Sequence, residues 1–335
     1  MVQDKWLKYS VFSAMLLALV VVTLGAYTRL TDAGLGCPDW PGCYGHMVLP
    51  HKASALQVAQ ANFPDVPVEQ VKAWTEMVHR YVAGSLAFLL LLIAIRALYL
   101  RIRDRFAYWR MPAIIVCLVI LQAALGMWTV TMKLLPVVVM SHLLGGMTIF
   151  SLLCYYNVKI TNPSDTQLTR QLYWVLGGIF VVFCQIALGG WVSANYAGIA
   201  CVGFPKCNGL WLPSLHLGQG FNLFTSIGEN YQGGLLDSEI RVTIQMIHRI
   251  GAMVTAIYLF GLSIFIYRTS HNELQRFCAI FIGLLLVMQI CLGIANVMYR
   301  LPLPVAVAHN GVAAMLLASL MAMLAIVMQR RTDDR

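Results

Sequence analysis

The sequence predicts an all-α integral membrane protein with eight transmembrane helices, built as two tandem-duplicated four-helix bundles with both termini in the cytoplasm. Three observations predict this fold class: an apolar composition, eight long runs with few charges, and motifs that recur in the second half. Of the 335 residues, 59% are hydrophobic and 11% are charged, whereas soluble domains are about 45–50% apolar and about 25% charged. The composition therefore excludes an ordinary cytosolic globule and a disordered chain.

The predicted helices follow from the apolar runs. A helix needs about 20 mostly apolar residues to cross the hydrocarbon core of a bilayer. The runs that we interpret as spans cover residues 9–28, 81–95, 111–132, 134–158, 171–192, 242–267, 277–299 and 305–328. The second run is extended at its start to include Glu76, His79 and Arg80.

The distribution of positive charge predicts the orientation. The net charge is +9, but its 23 Lys and Arg residues form no dense basic stripe, which excludes nucleic-acid binding. The most compact group contains Arg96, Arg101, Arg103, Arg105 and Arg110. Because short cytoplasmic loops are enriched in Lys and Arg, this group indicates the cytoplasmic side. Two long connections, residues 29–73 and 193–240, then lie on the outer side.

Several features of the first half recur in the same order in the second half. The matched pairs and their separations are Gly25 and Gly189 (164), Cys37 and Cys201 (164), Cys43 and Cys207 (164), His79 and His248 (169), Gln122 and Gln289 (167), and His142 and His309 (167). Such a nearly constant separation predicts a tandem duplication. Residues 1–165 are expected to form the N-terminal bundle and residues 166–335 the C-terminal bundle.

Two cysteine pairs lie in the long outer connections. Five residues separate Cys37 from Cys43 and also Cys201 from Cys207. The outer compartment is oxidising, so each pair is predicted to form a disulfide within its loop. The alternative is four free thiols that bind a metal. The other cysteines lie inside spans and are interpreted as small hydrophobic residues: Cys117, Cys154, Cys184, Cys278 and Cys291.

Four of the eight histidines lie near the outer ends of the even-numbered spans. They are His79, His142, His248 and His309. Ionisable side chains inside a membrane are costly and are functional by default. Two imidazoles on facing helices of one bundle suit the two axial positions of a heme iron, whereas a zinc site lacks obvious third and fourth ligands. The other four are interpreted as solvated loop residues: His46, His51, His216 and His271.

One position differs chemically between the halves. Glu76 precedes His79 by three residues, and Gln245 precedes His248 by three. Residues at i and i+3 share a helix face, so Glu76 is expected to face the pocket of His79. A carboxylate in this position is costly, which favours chemistry in the first half. The alternative is that Glu76 only orients a histidine or pairs with an arginine. Arg80 and Arg249 are candidate contacts for heme propionates, or else arginines that snorkel to the interface.

The stretch at residues 25–41, GAYTRLTDAGLGCPDWP, resembles the heme A synthase family. Four further motifs share the resemblance: EMVHR at 76–80, SH at 141–142, QMIHR at 245–249 and AHN at 308–310. The similarity runs from about residue 22 to residue 317. It implies an eight-helix duplicated bundle that converts heme O into heme A for heme-copper terminal oxidases. The family hydroxylates the C8 methyl group twice, and the geminal diol loses water to leave a formyl group.

The resemblance also implies roles for individual residues. His79 and His142 match the ligands of the substrate heme O, His248 and His309 match the ligands of a resident heme b, and Glu76 matches the catalytic acidic residue. The loop cysteines match only one branch of the family, which favours a structural role. The expected location is the cell (inner) membrane, with both heme sites toward the extracytoplasmic side. The expected partner is the heme O synthase, a farnesyltransferase that supplies the apolar substrate; the electron acceptor stays unassigned.

Three other functions compete with this interpretation. A bis-histidine cytochrome b that only transfers electrons usually stacks its hemes toward opposite faces of the membrane, whereas these four histidines share one face. A disulfide-generating oxidase usually needs a closer cysteine pair, and it leaves the histidines unexplained. A transporter needs ionisable groups near the midplane of the bilayer. Water and dioxygen are both compatible with these residues as the source of the oxygen atom.

Overall fold

The computed structural model describes residues 4–49, 53–64, 66–104, 108–162 and 170–329. His51, Arg105 and the predicted boundary between residues 165 and 166 lie outside these described residues. We refer to residues 4–162 as the first half and to residues 170–329 as the second half.

The described residues fold into helices joined by loops. In chain order the helices are α1 (Lys5–Leu30), α2 (Ala53–Asn62), α3 (Gln70–Asp104), α4 (Arg110–Thr131), α5 (Pro136–Thr161), α6 (Arg170–Ala194), α7 (Leu217–Gly220), α8 (Ser238–Thr269), α9 (Glu273–Met298) and α10 (Leu303–Val327). Within the described residues, eight of these are long and apolar enough to cross a membrane, which confirms the predicted number of spans. The two short helices, α2 and α7, lie in the two long connections between spans and were not predicted.

Helix α3 begins earlier than the apolar run suggested. It starts at Gln70, so Glu76 and His79 lie in its second and third turns. The reason is tertiary packing, because Ala73 and Met77 are buried against the loop that contains Cys37 and Cys43. A polar first turn is therefore stabilised by the loop that covers it.

Two tight turns set the start of the helices that carry His142 and His309. Lys133 and Leu134 have φ values of 47° and 62° after α4, and Arg300 and Leu301 have 54° and 63° after α9. These left-handed residues end each helix. A proline then stands in the first turn of α5 and of α10, where its fixed φ and missing N–H are tolerated.

The long helices pack in the same order within each half. In the first half α1 contacts α3 and α5, α3 contacts α4, and α4 contacts α5. In the second half α6 contacts α8 and α10, α8 contacts α9, and α9 contacts α10. Helices α5 and α10 pack against each other and join the two halves, together with contacts of α1 with α10 and of α5 with α6.

Candidate functional site

The four histidines form two pairs. His79 on α3 lies close enough to His142 on α5 for their charges to interact, and His248 on α8 has the same relation to His309 on α10. All four side chains are half-buried. The structure thus brings together the two pairs that the sequence predicted.

Each imidazole lies against a glycine of a neighbouring helix. A Cβ atom added at Gly25 or Gly189 would lie 3.1 Å from Cε1 of His79 or His248, respectively. A Cβ atom added at Gly126 or Gly293 would lie 3.2 Å from Cε1 of His142 or His309. These distances are shorter than ordinary van der Waals contact, so the four glycines allow the rings to approach the backbone closely.

The ring nitrogens fit the requirements of iron ligands. Nδ1 is buried without a hydrogen-bond partner in His79, His142 and His309. Among the described residues, no third His, Cys, Asp or Glu joins either pair into a metal cluster. A donor set of two imidazoles suits axial ligation of a heme iron, whose other four ligands come from the porphyrin.

Glutamine side chains lie beside three of the histidines. Gln122 Nε2 donates to the backbone oxygen of His142 at 2.6 Å, and Gln289 Nε2 lies 3.3 Å from His309 Nε2. Gln185 Nε2 lies 3.0 Å from His248 Nδ1. The repeat pattern contained Gln122 and Gln289 without assigning them a role. Gln185 has no counterpart in that pattern and was missed.

The cysteine pairs are joined within their loops. Cys37 and Cys43 have an S–S distance of 2.05 Å, and Cys201 and Cys207 one of 2.03 Å. Each loop also forms an isolated antiparallel bridge, between Cys43 and His46 in the first half and between Cys207 and Leu210 in the second. The structure therefore has the pairing within loops that the sequence predicted.

Glu76 contacts the first disulfide loop and not the His79 ring. Its Oε2 accepts a hydrogen bond from the backbone N–H of Cys37 at 2.9 Å. Its Oε1 forms an ion pair with Arg80 at 2.5 Å, and the side chains of Glu76 and Arg80 are only 6% and 13% exposed. One carboxylate oxygen binds the loop and the other binds Arg80 on α3, so the structure has the arginine pair that the sequence left open as an alternative.

Arg80 ties the same loop to α3. Its Nη1 donates to the backbone oxygens of Asp39 at 3.0 Å, of Pro41 at 3.2 Å and of Gly42. Asp39 in turn accepts hydrogen bonds from the backbone N–H groups of Tyr44 and Gly45. Burial, followed by the nearby carboxylates of Glu69, Glu76 and Asp39, raises the pKa of the Tyr44 phenol. The contact of Arg80 with a heme propionate stays a prediction.

The second half has a neutral version of this arrangement. Arg249 donates to the backbone oxygens of Cys201 at 2.6 Å and of Lys206 at 3.4 Å. Gln245 is buried, and its Oε1 has no hydrogen-bond partner. Arg249 thus also binds its disulfide loop, but without an ion pair to the residue at the position of Glu76.

A third arginine connects the two halves at the end of α1. Arg29 donates to the Tyr196 hydroxyl at 2.6 Å and to the backbone oxygen of Ser193 at 2.7 Å, and its guanidinium stacks on the Tyr196 ring at 4.1 Å. Tyr196 donates to Asp32 at 3.0 Å. No pattern in the sequence indicates this contact, because its members are 164 to 167 residues apart.

The remaining described histidines lie outside the paired sites. His46 and His271 are exposed, and His216 is half-buried, with Nε2 3.7 Å from Glu239. These positions agree with the interpretation of the three as loop residues.

Comparisons with known proteins cover nearly the whole chain. Residues 8–321 match the family described as cytochrome oxidase assembly protein (COX15-CtaA). A heme A synthase of Shewanella oneidensis is 46% identical over 307 residues, which cover 90% of this chain and 91% of the relative. Heme A synthases of Rhizorhabdus wittichii and Caulobacter vibrioides are 26% and 28% identical, over 91% and 92% of this chain and 89% and 91% of the relatives.

Proposed function

This chain belongs to the cytochrome oxidase assembly protein (COX15-CtaA) family of multi-pass membrane proteins, and we propose that it is an oxidoreductase that converts heme O into heme A. The observation that carries the proposal is the presence of two histidine pairs, each ring seated on a glycine, in a chain 46% identical to a heme A synthase. A four-helix bundle with facing imidazoles is a suitable site for heme.

We assign different hemes to the two pairs. His79 and His142 bind the substrate heme O, and His248 and His309 bind a resident heme b. Each of the four rings lies against a glycine of a neighbouring helix in the same way, which supports ligation at all four positions. The charged Glu76 beside the first pair and the neutral Gln245 beside the second support chemistry in the first half only.

The reaction converts the C8 methyl group of heme O into a formyl group. We propose two successive hydroxylations, after which the geminal diol loses water. Conversion of a methyl group into a formyl group removes four electrons from that carbon. Heme b, when bound, supplies one-electron transfer.

Glu76 is the proton acceptor in this proposal. The backbone N–H of Cys37 and the guanidinium of Arg80 hold its two oxygens at the outer end of the first bundle. With water as the source of the oxygen atom, each hydroxylation releases two electrons to the separate acceptor and two protons, one of which passes to this carboxylate, which Arg80 orients. General acid–base catalysis of this kind contributes about 10²–10⁴-fold to a rate.

The duplication accounts for the matching geometry of the halves. We propose a first bundle at residues 1–165 and a second at residues 166–335. The repeated helix contacts support this division. The left-handed turns before α5 and α10 and the glycine contacts of the four histidines support it as well.

We also propose the location and the partners. The two disulfide loops, which suit an oxidising compartment, support the proposal that both heme sites lie toward the extracytoplasmic side of the cell membrane. A heme O synthase in the same lipid membrane delivers the substrate, because a farnesylated porphyrin is too apolar to cross water freely. The electron acceptor is a separate component.

Pigment analysis of the purified protein tests the function. The protein is produced in cells that make heme O but no heme A, and the extracted hemes are separated by chromatography and identified by mass. We expect heme b together with heme A. Heme b without any heme A or hydroxylated heme O would identify an electron-transfer cytochrome and overturn the proposal.

A further inference from the structure

The His248 ring is held by an amide that has no counterpart at His79. Gln185 Nε2 lies 3.0 Å from Nδ1 of His248 and 3.0 Å from its backbone oxygen. Gln185 also lies one helical turn from Gly189, the residue on which the His248 ring is seated. Two adjacent turns of α6 therefore contact the same imidazole.

A second glycine provides the space for this amide. A Cβ atom added at Gly251 on α8 would overlap Oε1 of Gln185. The separations of 164 and 169 residues place Val21 and Val82 at the matching positions of the first half. Both valines are half-buried, and Nδ1 of His79 has no hydrogen-bond partner. A glutamine–glycine pair in one half thus corresponds to a valine–valine pair in the other.

The amide suits the second nitrogen of an iron ligand. A histidine that binds iron through Nε2 carries its proton on Nδ1, and an acceptor for that proton fixes the ring and strengthens the ligand. Oε1 of Gln185 is buried and has no partner. Rotation of the terminal amide exchanges its oxygen and nitrogen, so that Oε1 accepts the Nδ1 proton and the hydrogen bond from Nε2 to the His248 backbone oxygen is given up.

We propose that Gln185, accommodated by Gly251, is a positioning residue that keeps heme b bound. Val21 and Val82 leave Nδ1 of His79 without such a partner, so that the first site can exchange its heme. This inference rests on the proposed function. A resident cofactor must stay bound through many turnovers, whereas a substrate site must release heme A and take up heme O in each one. The two halves meet these requirements, retention and exchange of heme, by different residues at two matched positions: Gln185 and Gly251 near His248, and Val21 and Val82 near His79.

Replacement of Gln185 tests the retention of heme b. The full-length Gln185→Val protein is purified in detergent, and the transfer of its heme b to excess apomyoglobin is followed by absorbance. We expect release to be about tenfold faster or more, because loss of such a partner typically costs about 10–100-fold in affinity. Gln171→Val is the matched control, because it makes the same change at the opposite end of α6, where Gln171 donates a hydrogen bond to Thr269. We expect native release from this variant.

A conservative variant separates positioning from packing. Gln185→Glu keeps an acceptor for the Nδ1 proton, so heme b release should stay slow. The reduction potential of heme b should become more negative, because a carboxylate partner makes the imidazole a stronger donor to iron. An unchanged potential would show that residue 185 does not act through the ligand.

The reciprocal change introduces the glutamine–glycine pair into the first half. Val21→Gln with Val82→Gly should slow release of heme from the first site by about tenfold or more, so that bound heme O or heme A accumulates in the purified protein. This double variant also provides the test if Gln185→Val does not fold. Native exchange in the double variant would contradict the inference.

The outcomes distinguish this inference from the proposed function. If Gln185→Val releases heme b at the native rate while His248→Ala contains none, the positioning role is wrong and the ligand assignment stands. If His248→Ala retains heme b, the ligand assignment itself is wrong.

Discussion

The two halves of this protein share one helical frame but differ in the polar groups that surround their histidines. In the first half, Glu76 and Arg80 form a buried ion pair beneath a disulfide loop, and the His79 ring has an unpartnered Nδ1. In the second half, Gln245 is neutral, and an amide contacts the His248 ring. The first half therefore carries a carboxylate beside its histidines and leaves Nδ1 of His79 without a partner, whereas the second half lacks that carboxylate and has an amide at Nδ1 of His248.

This difference indicates a division of labour between the halves. A buried ion pair often contributes no more stability than well-packed apolar residues of similar volume, so stability does not explain why the first half has one. Two bundles with the same task would not need a carboxylate in one half and an amide at the matching position of the other. We therefore relate the Glu76 carboxylate to the oxidation of heme O and the Gln185 amide to the retention of heme b. Four sets of variants test this division.

The ligand variants should have the largest effect. His248→Ala or His309→Ala removes an axial imidazole and should abolish the absorbance of low-spin heme b. His79→Ala or His142→Ala should keep that absorbance and lose heme A production. Absorbance spectra and chromatographic heme analysis of the purified proteins provide the measurement. Loss of both hemes from a folded variant of either class would contradict the division between the sites.

Exchange of the acidic residue should have the next largest effect. Glu76→Gln keeps the side-chain volume and removes the proton acceptor, so heme A should fall by about 10²–10⁴-fold, and heme O or its hydroxylated form should accumulate. Gln245→Glu should create no second active site, because heme b, which we assign to that pocket, is not the substrate. Native amounts of heme A in Glu76→Gln would reduce this residue to a structural partner of Arg80.

The arginine variants should differ in stability. Arg80→Leu leaves the buried Glu76 carboxylate unpaired, which should lower the free energy of unfolding by about 3–5 kcal/mol. Arg249→Leu removes only hydrogen bonds to loop carbonyls and should cost about 1–3 kcal/mol. Thermal unfolding in detergent compares the two. The double variant Glu76→Gln/Arg80→Leu should recover part of the loss, and equal Tm values for the two single variants would contradict the comparison.

The disulfide variants should have the smallest effect on stability. Closure of each seven-residue ring contributes about 2 kcal/mol in the chain-entropy treatment, so Cys37→Ser/Cys43→Ser and Cys201→Ser/Cys207→Ser should lower the Tm similarly. Only the first variant should lower heme A output, because opening that loop moves the backbone N–H at position 37 away from Glu76. Non-reduced peptide mapping of the native protein checks the pairing. A cross-link between the two loops would show that the pairing is wrong.

Local patterns of the sequence were enough to predict much of the fold and part of the site. Apolar runs predicted eight spans because crossing a bilayer requires a minimum apolar length, and the structure confirms that number within its described residues. The repeated motifs identified His79, His142, His248 and His309. The equal spacing of the cysteines predicted pairing within each loop. Each of these features depends on a short stretch of sequence or on the repetition of that stretch.

The tertiary structure decided what the polar side chains contact. The shared helix face suggested that Glu76 faces His79, but the folded loop supplies the N–H of Cys37, and Arg80 turns toward the same loop. Gln185 reaches His248 across 63 residues of sequence, and Arg29 reaches Tyr196 across 167. No local pattern predicts such contacts, because the direction of a side chain depends on which distant backbone packs beside its helix.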